Sequence, residues 1–311
     1  MAVKLLHAGV DHDAAVLQRF STEARAAGRA RHRNIVEVID FGADGPTHWM
    51  VLEYLDGEAL EALVEREAPL APARVAALLD PLLRAVAHAH AMGFIHRDLK
   101  PGNLFLAREE GTDGVVPKVL DFGIAKHTGS AAKLTGTDTI VGTPAYMAPE
   151  QIESSRDVGP AADQYAMGCV AFEMLSGKLP VAGETLHGLL VAKATREPED
   201  LGPLRPDLPP ALCACVMRAL AREPSRRYPD LDGFRRALVA PRGLPDPHLG
   251  RGLRAARRGH HARAGRGARA PVVAAVPAQR EAPRRRRPVA HPARPPRRAP
   301  RRAALVARGR P

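Results

Sequence analysis

Ile95-His96-Arg97-Asp98-Leu99-Lys100-Pro101-Gly102-Asn103-Leu104-Phe105-Leu106 decides the reading of this chain. Between His96 and Asn103 it holds one carboxylate, two cations and one carboxamide, and a short apolar run follows. Asp98 can accept a hydroxyl proton or orient the hydroxyl, because an ionised carboxylate is an acceptor. Lys100 is a compact point charge suited to a transferring phosphoryl group. Asn103 offers a neutral oxygen to a hard cation such as magnesium.

Working outward, Leu104-Phe105-Leu106 begins a strand. After the polar stretch 107–114, Val115-Val116-Pro117-Lys118-Val119-Leu120 reads as a second one. The two can pair as a hairpin with a long loop. That pairing returns the chain to the level of Asn103 as it reaches Asp121-Phe122-Gly123, so a second carboxylate arrives beside the first site. In order, H-R-D-x-K-x-x-N and D-F-G resemble the catalytic loop and metal-binding triplet of protein kinases. The resemblance implies that Asp98, Lys100, Asn103 and Asp121 are the catalytic group. It also implies that Asn103 and Asp121 hold Mg2+ or Mn2+ on the phosphates of ATP.

Other segments fit the same family. Met1-Ala2-Val3-Lys4-Leu5-Leu6 reads as a strand similar to V-A-I-K, with Lys4 on the phosphates and Ala2 against the adenine. Residues 13–30 read as a helix on which Val16, Phe20, Glu23 and Ala27 share one face. Glu23 there either reaches water or pairs with Lys4, as the resemblance implies. Arg31-His32-Arg33-Asn34-Ile35-Val36 resembles a turn into the next strand. Residues 35–41 and 48–52 are then expected as strands around a turn at 42–46. Glu53-Tyr54-Leu55 resembles the hinge, where the Glu53 carbonyl and the Leu55 N–H would read adenine, with Leu52 as gatekeeper and Phe105 below the base.

From residue 59 onward the pattern is mostly helical. A long helix is expected over 72–92, with Pro72 in its first turn and Gly93 at its stop. Its His88 and His90 read as structural, near the site in sequence alone. Further helices are expected over 161–175, 184–195, 210–222 and 231–239. Asp163 reads either as a helix cap or, by resemblance, as the tie on the catalytic-loop backbone. Gly142-Thr143-Pro144-Ala145-Tyr146-Met147-Ala148-Pro149-Glu150 matches the end of a serine/threonine kinase activation segment. The resemblance puts Thr143 on Asp98 and Lys100, and Arg227 on Glu150 as a structural bridge. Arg97 is then a receiver for a phosphothreonine at Thr135, Thr137 or Thr139.

From residue 2 to 239 the chain thus resembles a bacterial eukaryotic-like serine/threonine protein kinase. The implied fold class is α+β and two-lobed. A small antiparallel N-lobe and hinge (1–55) would precede a helical C-lobe (56–240). The implied partners are protein substrates bearing serine or threonine, with self-phosphorylation in trans. The departure is upstream. Three residues precede Lys4, so the glycine-rich phosphate loop and two strands fall outside this sequence. The expectation is weak ATP binding and slow transfer by the chain as written. A scaffold with a kinase fold is the alternative that this departure raises.

Composition adds bounds. The 311 residues suffice for one large or two modest domains, and 45% are hydrophobic. Cys169, Cys213 and Cys215 lack metal-ligand spacing and read as buried thiols of a cytoplasmic protein. No apolar run reaches transmembrane length. The net charge of +12 is uneven. Residues 241–311 hold 20 Arg, no Lys, one Asp and one Glu, a balance of +18 that leaves −6 for residues 1–240. Nucleic-acid association would rest on this tail, which has no aromatic residue for stacking. Its Arg, Pro, Ala and Gly content cannot bury enough apolar surface to order itself. It reads as a disordered segment and as a candidate out-of-frame translation. In hydrogen exchange, residues 241–311 are expected to show no protected amides; protection across the segment would overturn this reading.

Overall fold

The computed structural model describes residues 1–6, 31–44, 47–109, 111–112, 114–121, 143–153 and 158–240. Glu23, Thr135, Thr137, Thr139 and the basic tail lie outside the described residues. All described residues belong to one compact unit, Met1–Ala274.

Three strands form the first sheet: β1 (Ala2–Leu6), β2 (Val38–Asp44) and β3 (Thr47–Leu52). Their order is β1-β3-β2, antiparallel throughout. Alternation along β1 turns Val3 and Leu5 outward, each 49% exposed, while Lys4 is opposite the buried Met50. β2 starts at Val38 rather than at Ile35. Ile35 and Val36 are a continuous apolar pair with no polar alternation, and they are buried against another strand. The turn is also shorter than 42–46, because Gly42, Ala43 and Asp44 still pair with β3.

The second sheet comprises β4 (Gly57–Ala59), β5 (Leu104–Arg108) and β6 (Val115–Val119), in that order. The β5–β6 hairpin has the expected form: Leu104 is opposite Val119, and Phe105 opposite Lys118. β4 was not foreseen, since three residues carry no readable alternation. Gly57 has φ +150 and sits so close to the Leu106 carbonyl that a Cβ there would collide with backbone. Only glycine fits that approach.

The remaining elements are helical: α1 (Leu60–Glu67), α2 (Pro72–Ala91), α3 (Pro149–Glu153), α4 (Pro160–Ser176), α5 (Leu186–Thr195), α6 (Leu201–Leu204), α7 (Pro210–Ala219) and α8 (Leu231–Val239). α7 stops at Ala219, three residues before the expected end. α4 is the centre of the core and is buried nearly all round, from Ala162 to Leu175. It ends at Gly177, which adopts φ 72 and donates its N–H to Glu173 O, a left-handed stop. Leu78, Leu79, Leu82, Leu83 and Val86 give α2 its buried face in the same core. Cys169, Cys213 and Cys215 are free and buried. Burial pushes the Cys169 thiol up to about 11, which keeps it protonated. No helix among the described residues is long and apolar enough to cross a membrane.

A buried carboxylate joins distant parts of the chain. Asp80, buried on α2, accepts from Arg84 Nε at 3.0 Å and from Arg235 Nη1 on α8 at 2.8 Å. Burial alone would raise the Asp80 carboxyl, but hydrogen bonds from Arg84 and Arg235 outweigh it and hold the acid below its usual range. A depressed folded value means that the stabilisation exists above the unfolded value, near pH ~3.9, and fades as pH falls through the folded value. Arg235→Ala is expected to cost about 1–3 kcal/mol in urea unfolding at pH 7, with a smaller difference from wild type below pH ~3. An equal difference at both pH values would show that the pair contributes no pH-linked stability.

Candidate active site

The segment 94–100 is an irregular loop between α2 and the short turn Pro101–Asn103. One side chain holds two consecutive N–H groups of its backbone. The fully buried Asp163 of α4 accepts from His96 N through Oδ2 and from Arg97 N through Oδ1, both at 2.7 Å. Arg97 takes φ 64, the left-handed conformation. That reversal turns consecutive N–H groups toward one anion. Asp163 is therefore the backbone tie rather than a cap; the cap position of α4 is Gly159.

His90 corrects the expectation that it is near the site in sequence alone. Its Nε2 donates to Asp163 Oδ2 at 2.7 Å, across 73 residues. The spacing of α2 cannot show this, because the partner lies on another helix. His96 is also buried; its Nδ1 accepts from Asp98 N at 3.3 Å, so its Nε2 donates to Leu120 O at 2.9 Å. One imidazole thus connects the loop with the end of β6. Leu120 N in turn donates to Asn103 O at 2.8 Å. The hairpin therefore brings Asp121 to the level of Asn103, as its length suggested.

Asn103 Nδ2 donates to Asp98 O at 2.7 Å and to Asp98 Oδ2 at 3.0 Å. The Asp98 side chain is nearly buried, and Lys100 Nζ stands 4.0 Å from its Oδ2. Lys4 Nζ meets Asp121 Oδ1 at 2.8 Å, with both side chains partly exposed. The expected partner Glu23 lies outside the described residues, so the Lys4–Glu23 pair does too. Asp121 has φ 32, a left-handed value that costs a non-glycine residue energy and concentrates at functional sites. Asp98, Lys100, Asn103, Asp121 and Lys4 converge on one locality.

The donor chemistry fits a hard cation. Asn103 spends its amide N–H groups on Asp98, which leaves a carboxamide oxygen, and Asp121 supplies a carboxylate. Oxygen donors without thiolate or imidazole suit magnesium or manganese.

Of the residues expected around adenine, Ala2 pairs with Leu52, and Glu53 and Leu55 follow β3. Phe105 lies on β5 between Ala59 and Lys118. Arg97 Nη2 donates to Val158 O at 3.3 Å, and its buried Nε has no partner among the described residues. Thr143 begins the short turn Thr143–Tyr146.

The segment after that turn is fastened at several points. Gln151 Nε2 donates to Arg97 O at 3.1 Å, and Gln151 Oε1 accepts from Ala148 N at 2.9 Å. Tyr146 OH donates to Glu173 at 2.6 Å. Burial raises the Glu173 carboxyl above its usual range, with Glu61 and Glu65 adding to the rise. Lys193 of α5 is buried and donates to Met147 O at 3.1 Å; burial lowers its ammonium pKa. Sequence reasoning missed Lys193 and Glu173, since each sits on an apolar helix without a motif around it. The expected Arg227–Glu150 bridge is present and bidentate, at 2.6 and 2.8 Å. Arg227 is buried and spends its remaining N–H groups on the carbonyls of Ala161, Ala221 and Arg222.

Comparison with known proteins places this geometry. The protein kinase domain family matches residues 1–229. The chain is 43% identical over 238 residues to serine/threonine-protein kinase Pkn1 of Myxococcus xanthus, covering 76% of this chain and 34% of Pkn1. It is 36% identical over 247 residues to PknA of Mycobacterium tuberculosis, covering 78% of this chain and 55% of PknA. The chain therefore spans about a third to a half of the length of these relatives. Among solved structures, the Mycobacterium tuberculosis PknI kinase domain superposes with a TM-score of 0.59 at 28% identity, covering 76% of this chain and 83% of that one. Rad53 in complex with AMP-PNP superposes with a TM-score of 0.60 at 25% identity, covering 75% of this chain and 56% of that one.

Removing Glu150 would leave the Arg227 guanidinium buried without its counter-charge. Glu150→Ala is expected to lower unfolding free energy by about 3 kcal/mol, as for broken buried pairs. Chemical denaturation checks this, and a loss below ~0.5 kcal/mol would show that the three carbonyls alone satisfy Arg227.

Proposed function

The chain belongs to the protein kinase domain family, and from that premise we propose that it transfers the γ-phosphoryl group of ATP to serine or threonine hydroxyls of proteins. The observation that carries the reading is the convergence of Asp98, Asn103, Asp121 and Lys4 through the His96 imidazole and the Leu120 backbone. Identity to serine/threonine kinases over three quarters of the chain supports that acceptor class.

In this reading, Asp98 orients the acceptor hydroxyl and takes its proton. Its carboxylate is fixed for that by Asn103 Nδ2. Lys100, beside it, stabilises charge on the moving phosphoryl group. The Asn103 oxygen and Asp121 would hold Mg2+ or Mn2+, which supplies charge neutralisation at the phosphates when bound. Lys4 would draw on the phosphates, with Glu23 as its orienting partner. Ala2, Phe105 and the hinge backbone at Glu53 and Leu55 would enclose the adenine. Residues 1–55 and 56–240 act as the two lobes of one catalytic unit, and free buried cysteines support a cytoplasmic setting.

Regulation belongs to the same proposal. Arg97 has a buried N–H without a partner among the described residues. A phosphate on Thr135, Thr137 or Thr139 would supply acceptors for it, added in trans by a second copy.

Two assays test the reading. Asp98→Asn and Asp121→Ala should each lower transfer from ATP to a serine- and threonine-containing peptide library by about a hundredfold or more. Asp98→Asn should retain nucleotide binding. Near-normal transfer by either variant rejects the assignment. Replacing Thr135, Thr137 and Thr139 together with Ala should lower activity about tenfold or more, with phosphate found there in active wild type by mass spectrometry; full activity of the triple variant removes the regulatory proposal.

A further inference from the structure

We infer that Lys118 is a positioning residue for the nucleotide, acting through the carboxylate of Glu53. This rests on the kinase reading above and deepens it at the hinge. Glu53 Oε1 accepts from Lys118 Nζ at 2.6 Å and from Glu37 N at 2.8 Å. Glu53 N donates to Glu37 O at 3.0 Å. Lys118 and Glu53 side chains are 14% and 25% exposed, so the pair is shielded enough for its charge to count.

Three parts of the chain meet at that oxygen. Glu53 is the first hinge residue after β3. Lys118 lies on β6, three residues before Asp121 and opposite Phe105. Glu37 ends the stretch 34–37, which already lies along β6. Val119 N donates to Asn34 O at 2.8 Å, Val36 N donates to Val119 O at 2.9 Å, and Asn34 Nδ2 donates to Pro117 O at 2.7 Å. Without the Glu53 carboxylate, the hinge would touch this assembly through the Glu37 backbone carbonyl alone among the bonds just given. With it, the hinge that would read adenine is also joined to β6 at Lys118, the residue opposite Phe105.

A lysine on a strand is ordinarily a solvent-facing residue. Here its ammonium ends on a carboxylate that also accepts a backbone N–H. The Lys118 ammonium is engaged by the hinge carboxylate. Its effect should therefore fall on nucleotide affinity and leave the chemical step nearly unchanged, because positioning acts through the bound geometry.

The test uses the full chain and the non-hydrolysable analogue AMP-PNP with magnesium, by calorimetry. Lys118→Met keeps the stem and removes the charge; Lys118→Arg keeps a donor. Lys118→Met is expected to raise the Kd for the analogue about fivefold to tenfold, an effect of ~1.4 kcal/mol at most. Lys118→Arg should restore most of it, and thermal midpoints of all variants should stay close. In turnover, KM for ATP should rise with Lys118→Met while kcat and KM for the peptide hold. Wild-type affinity in Lys118→Met overturns the inference and leaves the kinase reading standing, as does a fall in affinity that only tracks lost thermal stability. No analogue binding by wild type overturns the inference together with the reading it rests on.

Discussion

A fully buried carboxylate, Asp163, accepts two consecutive backbone N–H groups from a turn that contains a left-handed arginine. Each half of this arrangement needs the other. An ionised carboxylate without water is costly unless hydrogen bonds replace the lost hydration. A non-glycine residue at φ 64 is disfavoured by about 1–2 kcal/mol unless the surroundings hold it there. His90 adds a third donor at 2.7 Å, so the carboxylate is satisfied on both oxygens. With His96 and Arg97 held by α4, the backbone sets where Asp98 starts, and Asn103 Nδ2 holds its carboxylate.

The next links run outward from that turn. His96 reaches the end of β6 through Leu120 O, and Leu120 N returns to Asn103 O. Asn103 then bonds back to both the carbonyl and the carboxylate of Asp98. The result is a closed ring of bonds in which the two carboxylates of the site approach from two chain segments joined by one main-chain bond and the His96 imidazole. Gln151 extends the ring by joining Arg97 O to Ala148 N, and the Glu150–Arg227 bridge fastens α3 to the residues before α8. The segment bearing Thr143 is thereby tied at its far end to the same turn.

How much of this could be read from residue order depends on the range of each interaction. The hairpin of β5 and β6 was legible because two apolar runs and a polar loop specify it locally. Asp98, Asn103 and Asp121 were legible as motifs, and Asp163 and Arg227 through the resemblance. The residue chemistry of Asp163 alone left a helix cap open, since an Asp near a helix start is ordinary. His90, Lys193 and Glu173 were not legible, because their partners Asp163, Met147 and Tyr146 lie on other elements. β4 was hidden by its shortness. The misplaced start of β2 had a readable clue: Ile35-Val36 without alternation marks a fully buried stretch, and here it lies against Val119.

Burial separates two kinds of residue at the site. Asp163, His96 and Arg227 are buried to 2% exposure or less. Lys4, Lys100 and Asp121 keep side-chain exposures of 25%, 24% and 39%. The first group replaces water with fixed protein partners and so bears on folding. The second keeps its charge toward solvent, where in the proposed reading a phosphate and a cation would enter and leave. Exposed charges contribute little to stability, so selection for chemistry can act on them with small cost to the fold. Asp98, at 8%, stands between the groups. Its carboxylate accepts from Asn103 Nδ2 at 3.0 Å, and in the proposed reading it would face an arriving hydroxyl. A carboxylate in that position would be preorganised: its orientation would be fixed before substrate binds, leaving little reorganisation for the moment of transfer.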